Sequence, residues 1–489
     1  MTDEGPPEVD VEALAEVTIQ YRGKYIPKDQ RKTILFLSDD LRVHSGIGVM
    51  SREIVENTCG YYNWVQIGAA VNHPENGKII DLSDEVAKLT GVPDPFVHIY
   101  PQNGYGSSAL VRDIILREKP HALLHFTDPR YWVWLYQIEH EIRQKIPMIF
   151  YAIWDDLPYP YYNENFYRSD DAIFCISKQT YNIVKRVCRK EPRNKWSLTY
   201  LPHGIDHIVK FFPIPADDEE SQTKMTEIRG GLFGGADIEF SVLYNARNLR
   251  RKMTSDVLLA YDHFLKQLTP EEAEKCRIIL HTQPIDENGT DLPAVIRDVV
   301  PGIKAVFSPQ KVGVEMLNML YNITDVTINL ASNEGFGLGT CESLVAGTPI
   351  IVNVTGGLQD QCGFVDEEGN YLDPDTHFTQ DWGSNHDGKY KTHGEWAFPV
   401  FPVSRSLQGS PVTPYIFDDR CDWKEAGNRI LEVYRMSREE RKRRGLLGRE
   451  FALGPAQFTA EKMGQSFIEQ IDTVLENWTP RERYTLVKV

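Results

Sequence analysis

Short, fully apolar runs of buried-strand length recur along this chain, and stretches with helical spacing separate them. Runs at 33–38, 64–70, 122–126, 148–153 and 172–176 alternate with helix-compatible text at 49–58, 108–118 and 131–145. A strand buried on both faces reads as a continuous apolar run. Strands joined by helices form parallel sheets, so the pattern predicts a doubly wound α/β domain. Residues 210–236 break the rhythm with Phe-Phe-Pro-Ile-Pro, the acids Asp217 to Glu220 and four glycines, and read as a linker. The alternation then resumes: strands at 240–244, 277–281, 326–330 and 349–354, helices at 255–267, 312–321 and from about 340. A second α/β domain follows the first. Residues 362–420 carry Pro, Gly, Asp and aromatics without periodicity and read as a long irregular insertion. Helical text returns at 423–435, and 460–478 forms an amphipathic closing helix.

Composition narrows the class. No run of about 18 apolar residues exists to span a bilayer. The first twenty residues hold six acids and no base, unlike a secretory leader. Seven scattered cysteines without a C-x-x-C pair argue against disulfide or zinc scaffolding. A cytoplasmic location is expected. The net charge of −17 opposes general attraction to nucleic acid or anionic membranes.

Three strings carry chemistry. Ser45-Gly46-Ile47-Gly48 lies between a strand and a helix, where backbone amides approach phosphate closely; a tight turn without ligand explains it equally. It lacks the full G-x-G-x-x-G of nicotinamide enzymes. Asn245 to Lys252 follows the first strand of the second domain and places Arg247, Arg250, Arg251 and Lys252 where a diphosphate would sit, or where a solvated basic turn would. The third string runs from Asn329 to Pro349. A strand ends, Gly335, Gly337 and Gly339 expose amides, Glu334 stands in the loop, and Glu342 falls in the early turns of the next helix.

Glu334-Gly-Phe-Gly-Leu-Gly with Glu342 eight positions on resembles the signature of retaining GT-B glycosyltransferases of the glycogen-synthase and sucrose-synthase-like superfamily. Other pieces are similar in order along the chain: the Gly46–Gly48 loop, Ser177 at a strand end, Leu201-Pro-His-Gly-Ile-Asp206, Arg247 with Lys252, and Thr355-Gly-Gly-Leu358. The resemblance implies two Rossmann-like doubly wound domains facing across a cleft, with the C-terminal helix packing back on the N-domain. The boundaries are an acidic lead-in 1–30, an acceptor domain 31–206, a donor domain 207–459 containing the 362–420 insertion, and a closing helix and tail 460–489. It further implies a nucleoside diphosphate sugar donor, UDP- or GDP-linked, with no metal and no other cofactor. Arg247 and Lys252 would neutralise the diphosphate. Glu334 would bind donor hydroxyls beside the amides of Gly335, Phe336, Gly337 and Leu338, and Glu342 the ribose. Gly46 and Gly48 would complete donor binding, and front-face attack would retain configuration. Asp373-Pro-Asp375 has Asp-x-Asp spacing but reads as a solvated turn.

Two departures concern recognition. The family's donor-contacting His is replaced near Leu124-His125-Phe126-Thr127-Asp128, where His125 reads as a core residue. Trp154-Asp155-Asp156 stands where a His-Asp string is common. Asp128, Asp155, Asp156 and Tyr131 are the acceptor candidates, with helix capping as the plain alternative for the aspartates. Aromatic text at 131–136 and 159–167 suits sugars or extruded bases, and also a packed core. The 185–195 run, with six bases and one acid, would track a nucleic-acid backbone or end a solvated helix. The acceptor is therefore a sugar, glycan or small molecule, or else a hydroxylated base in DNA; a non-catalytic nucleotide-sugar sensor is the third reading. Acidity concentrates in the donor half, with about −5 over 1–206 and about −12 over 207–489.

Overall fold

The computed structural model describes residues 20–190, 192–308, 312–378, 386 and 388–482. Most of the acidic lead-in (1–19) and Trp382 of the aromatic insertion lie outside them. The described residues within 1–154, 159–209 and 459–489 form one compact unit, and those within 155–158 and 210–458 form a second.

The first unit is built on β1 (Lys32–Asp39), β2 (Tyr62–Val71), β3 (Ile80–Asp81), β4 (Val97–Asn103), β5 (Ala122–Phe126), β6 (Met148–Ala152), β7 (Ala172–Cys175) and β8 (Leu198–Tyr200). Their order is β3-β4-β2-β1-β5-β6-β7-β8, all parallel except β3. Ile34, Leu35, Phe36 and Leu37 are fully buried, as expected for a central strand covered on both faces. Register runs from Lys32 opposite Tyr62 to Asp39 opposite Ala69, and Ile34 lies opposite Ala122. The chain winds outward from β1 through β2 to β4, then returns to β5 on the other side of β1. The strand order thus reverses between β1 and β5. β4 escaped the sequence pattern because His98, Pro101, Gln102 and Asn103 interrupt it. The helix expected over 131–145 resolves into three short turns, Pro129–Trp132, Val133–Tyr136 and Glu139–Ile142; its aromatic and β-branched residues favour helix weakly.

The closing helix, Ala460–Asn477, belongs to this unit. Phe467 meets Tyr151 and Phe174 edge-on, and Gly464 lies so close to Asn57 that a β-carbon would come within 2.8 Å of it. Asp472 accepts hydrogen bonds from the hydroxyls of Tyr61 (2.6 Å) and Tyr62 (3.0 Å).

The second unit holds β9 (Phe240–Asn245), β10 (Cys276–His281), β11 (Ala305–Phe307), β12 (Val326–Asn329), β13 (Ile350–Asn353) and β14 (Ala397–Val400), in the order β11-β10-β9-β12-β13-β14 and all parallel. Here the order reverses between β9 and β12. Two expectations need correction. Within 210–236 the chain forms a helix, Glu219–Phe233, because the acid run read as linker text supplies its Asp218 cap and first turn, and Gly234 ends it in the left-handed conformation. Within 362–420 the chain is not irregular throughout. Ala397, Phe398 and Val400 are buried in edge strand β14, a position that tolerates Pro399. β15 (Pro402–Ser410) and β16 (Thr413–Cys421) pair as a hairpin with Leu407 opposite Phe417. Asp373 accepts from the amides of Asp375 and Thr376, which makes the Asp-x-Asp string a turn.

Asp472→Ala removes the acceptor of the Tyr61 hydroxyl and leaves the buried Tyr62 hydroxyl only the Ile468 carbonyl at 3.2 Å. Chemical denaturation should register a loss of about 1–3 kcal/mol with an unchanged m-value.

Candidate functional site

In open α/β sheets, ligands gather beyond the carboxyl ends of the strands where their order reverses. In the second unit those strands are β9 and β12, which lead into the basic string and the Glu334 loop. A one-turn helix, Arg250–Lys252, carries Lys252 to Glu334, and the Lys252 Nζ and Glu334 Oε2 form an ion pair. Their side chains are 12% and 11% exposed, so this charge pair is largely withdrawn from solvent. Arg251 joins it: Nη1 lies 3.7 Å from the same carboxylate oxygen and donates to the Asn333 carbonyl at 2.7 Å. Burial alone would raise the Glu334 carboxyl, but Lys252 and Arg251 hold it below the usual range and therefore ionised.

Close backbone approach fixes the loop. The Gly357 amide donates to the Glu334 carbonyl at 2.8 Å. A β-carbon at Gly356 would lie 2.1 Å from that oxygen, and one at Gly357 2.3 Å from the Gly335 carbonyl, so the Gly-Gly pair is a steric requirement. The Gln361 amide donates to the carbonyls of Phe336 and Gly337. Phe336 turns its ring into the interior against Phe458 and leaves only its main chain to the loop. Gly337, at φ +91°, precedes the helix Leu338–Val345. On that helix Glu342 accepts from the Tyr321 hydroxyl at 2.7 Å, which in turn accepts from the Asn245 amide at 2.7 Å. Burial pushes the Glu342 carboxyl up to about 7.

Asp155 and Asp156 belong to this unit. The Asn333 side-chain amide donates to Asp156 and to the Phe417 carbonyl, the latter at 2.6 Å. Burial, with Arg251 and Lys252 opposing it, raises Asp155 to about 6. No helix begins at either residue, so the capping alternative falls. The hairpin buttresses the same loop: Asp419 accepts from the Thr355 hydroxyl at 2.8 Å and from Arg405 at 2.9 Å, and Asp418 accepts from Ser332. Arg247 stands apart, 61% exposed and paired with Asp286 at 2.9 Å; Arg251, not Arg247, is the arginine beside Glu334. A cavity of about 1090 Å³ in this unit lies elsewhere, lined by Ile238, Asp325 and Thr348 at the amino ends of β9, β12 and β13.

In the first unit, Ser45 caps the helix Gly46–Glu56 and accepts the Gly48 amide at 2.9 Å. Gly48 is glycine because a β-carbon would lie 2.4 Å from the Val43 carbonyl, so packing and the cap use both its space and its amide; Gly46 is exposed. Asp128 caps the turn Pro129–Trp132, as its capping alternative supposed, and pairs with Arg130. Tyr131 is 51% exposed and stacks on Tyr105. His125 is a core residue, bonded to Asp170 at 2.9 Å and stacked on Phe150. Thr127 adopts φ +110°, a strained value for a β-branched residue. His203 is buried against the Tyr151 hydroxyl at 2.8 Å, and burial lowers it to about 3, which keeps it neutral. Of the 185–195 run, Arg193 is spent on the carbonyls of Tyr167, Asp170, Asp171 and Ser197.

No family model matches the chain. A D-inositol 3-phosphate glycosyltransferase of Saccharomonospora viridis is 30% identical over 205 residues, 41% of this chain and 44% of that protein, so the match spans less than half of that relative's length. Among solved structures, sucrose-phosphate synthase of Thermosynechococcus elongatus superposes with TM-score 0.62 at 14% identity, covering 91% of this chain and 100% of that one. Anabaena HepE in complex with UDP and glucose gives 0.59 at 13% identity over the same shares. An α,α-trehalose-phosphate synthase of Burkholderia vietnamiensis gives 0.59 at 10% identity over 92% and 98%. The chain has the GT-B fold.

Within the GT-B frame, several site residues carried no sequence signal of their own. Tyr321 reaches Glu342 from a neighbouring element and Asn245 in turn reaches Tyr321, while Gln361 and Asn333 act through loop carbonyls and carboxylates. Arg251 stood in the quoted basic string, but only the one-turn helix decides which of its cations meets Glu334. Asp39, at the end of β1, also went unmarked. Among the described residues, no helix of this GT-B chain is long and apolar enough to cross a membrane.

Glu342 has a pKa raised from 4.5 to about 7 in the folded state, so its neutral form favours folding at low pH and that contribution is lost as pH rises from about 4.5 through 7. Glu342→Gln should flatten this part of the stability profile. At pH 8 denaturation should find it more stable than the parent, by up to about 3 kcal/mol.

Proposed function

We propose that the chain is a glycosyltransferase that moves a sugar from a nucleoside diphosphate sugar to a hydroxyl acceptor with retention of configuration. The observation that carries this reading is the buried Lys252–Glu334 pair, flanked by Arg251, at the point in the second sheet where strand order reverses. A cation there neutralises a diphosphate and stabilises the charge that grows on it as the glycosidic bond breaks. A carboxylate held ionised beside it accepts hydrogen bonds from donor-sugar hydroxyls. Arg251, 45% exposed, extends the cationic side of the pair, and Arg247, which stands apart on Asp286, would leave that partner to join it.

The amides of Gly335 to Leu338 approach the donor without side-chain interference, since Phe336 is turned inward. Glu342, oriented by Tyr321, holds the ribose hydroxyls. In the reaction the anomeric carbon–oxygen bond to the diphosphate breaks. A bond to the acceptor oxygen forms on the same face, and the acceptor proton passes to the departing phosphate oxygen. HepE in its UDP and UDP-glucose complexes supports a UDP-linked donor, and the inositol phosphate glycosyltransferase supports a hydroxyl acceptor. Asp128, Asp155, Asp156 and Tyr131 are the acceptor-side residues of this proposal. Transfer to a hydroxylated base in DNA draws less support, because Arg193 is removed from the basic run by its carbonyl contacts.

A panel of UDP-, GDP- and ADP-sugars assayed for hydrolysis and thermal shift identifies the donor. With that donor, Glu334→Ala and Lys252→Ala should each lower turnover by about a hundredfold or more. Full turnover in Glu334→Ala would refute the site.

A further inference from the structure

Near the end of β16 the Asp419 side chain is fully withdrawn from solvent. A buried carboxylate is costly unless it is paired and hydrogen-bonded. Both conditions are met within the second unit. On β15, Arg405 stands opposite Asp419 in register and its Nε donates to Oδ1 at 2.9 Å. The Thr355 hydroxyl donates to Oδ2 at 2.8 Å. The ion pair therefore closes inside the hairpin, and the second oxygen is directed at one residue outside it.

Thr355, 1% exposed, immediately precedes Gly356 and Gly357. The Gly357 amide donates to the Glu334 carbonyl at 2.8 Å, so the Asp419–Thr355 bond is one step removed from the Glu334 main chain. The same strand also holds the chain ahead of Glu334. The Asp419 amide donates to the Ser332 carbonyl at 3.2 Å, and the Asn333 side chain donates to the Phe417 carbonyl at 2.6 Å. Asn353, at the end of β13, ties these parts together by donating to the carbonyls of Ala331 (2.9 Å) and Asp419 (3.0 Å). Glu334 is thus gripped on both sides by β16, while its carboxylate is held separately by Lys252. That ion pair lasts only until a diphosphate competes for Lys252. The hydrogen bonds from β16 involve no group that a diphosphate would take.

We propose that Asp419 and Thr355 are positioning residues for Glu334, fixing its main chain through the Gly-Gly pair so that its carboxylate keeps one place when a donor draws Lys252 away. On the glycosyltransferase reading, which this role presupposes, Glu334 meets the sugar and Lys252 with Arg251 meets the diphosphate. The two cations come from another element, the turn Arg250–Lys252. Loosening Thr355 therefore affects recognition of the sugar and spares recognition of the nucleotide.

The test uses the full chain. The nucleotide sugar that binds best among UDP-, GDP- and ADP-sugars, and the corresponding nucleoside diphosphate, are titrated calorimetrically into the parent and three variants. Thr355→Val keeps the side-chain shape without the hydroxyl, Asp419→Ala removes the acceptor, and Thr355→Ser restores the hydroxyl. The first two should weaken nucleotide-sugar binding about tenfold, the scale of one hydrogen bond to a charged group, with the nucleoside diphosphate unchanged. Thr355→Ser should bind as the parent does. A general loss of structure would weaken both ligands together. Hydrogen exchange without ligand gives a second readout: Thr355→Val should speed exchange over 331–337 and leave β9 and β10 as protected as before. Equal weakening of both ligands, nucleotide-sugar binding indifferent to Thr355→Val, or unchanged exchange over 331–337 would overturn the proposal. If the parent binds no nucleotide sugar while exchange over 331–337 still responds to Thr355→Val, the glycosyltransferase reading fails and the grip of β16 on the Glu334 loop stands.

Discussion

Parallel pairing sends every strand of a sheet in one direction, so all the loops that leave its carboxyl ends gather along one edge. The chain can enter the crevice between two such loops only where successive connections depart to opposite sides. Each of the two large sheets has one such place, between β1 and β5 and between β9 and β12. Asp39, the strained Thr127 and the Tyr105–Tyr131 stack surround the first. Lys252, Arg251 and Glu334 surround the second.

The second opening is a concentrated electrostatic arrangement. Two cations and three carboxylates, Glu334, Asp155 and Asp156, share a partly desolvated volume, and burial raises Asp155 while Glu334 stays ionised. A buried charge pair contributes little to stability against an apolar alternative, because desolvation offsets its attraction. Its value lies in a fixed polarity before any ligand arrives. An incoming diphosphate would then exchange one anionic partner of Lys252 for another at little reorganisation cost, which is the condition for effective electrostatic stabilisation.

The fold class was legible because two-sided burial leaves a periodic trace. The runs at 33–38, 122–126 and 148–153 correspond to β1, β5 and β6 to within a residue or two. β4 was not, since polar residues and Pro101 interrupt its text. The helix Glu219–Phe233 was read as linker because its interior glycines and acid-rich start outweigh a weak apolar face, although those acids are what cap it. Glu334, Glu342 and Lys252 stood out in the sequence through motifs that resemble a family signature, and folding brings Lys252 onto Glu334. Arg251 could not be chosen over Arg247 without the Arg250–Lys252 turn. Tyr321, Asn333 and Asp39 act through contacts made only after folding. The 362–420 segment hid its order because a short edge strand and a hairpin with a polar, exposed face carry little hydrophobic periodicity.

The closing helix has a consequence for how the chain comes into being. Domains emerging from a ribosome fold as their sequence becomes available. The second unit draws on residues 155–158 and 210–458, all of them made before residue 459. The first lacks Phe467, Gly464 and Asp472 until the whole of the second unit has been made, and until then Tyr62 and Tyr151 have no cover from the helix that buries them. Vectorial synthesis therefore inverts the order of the text: of the two units, the one begun first is completed second, and its β6–β7 face lacks the Phe467 contacts throughout elongation of the other.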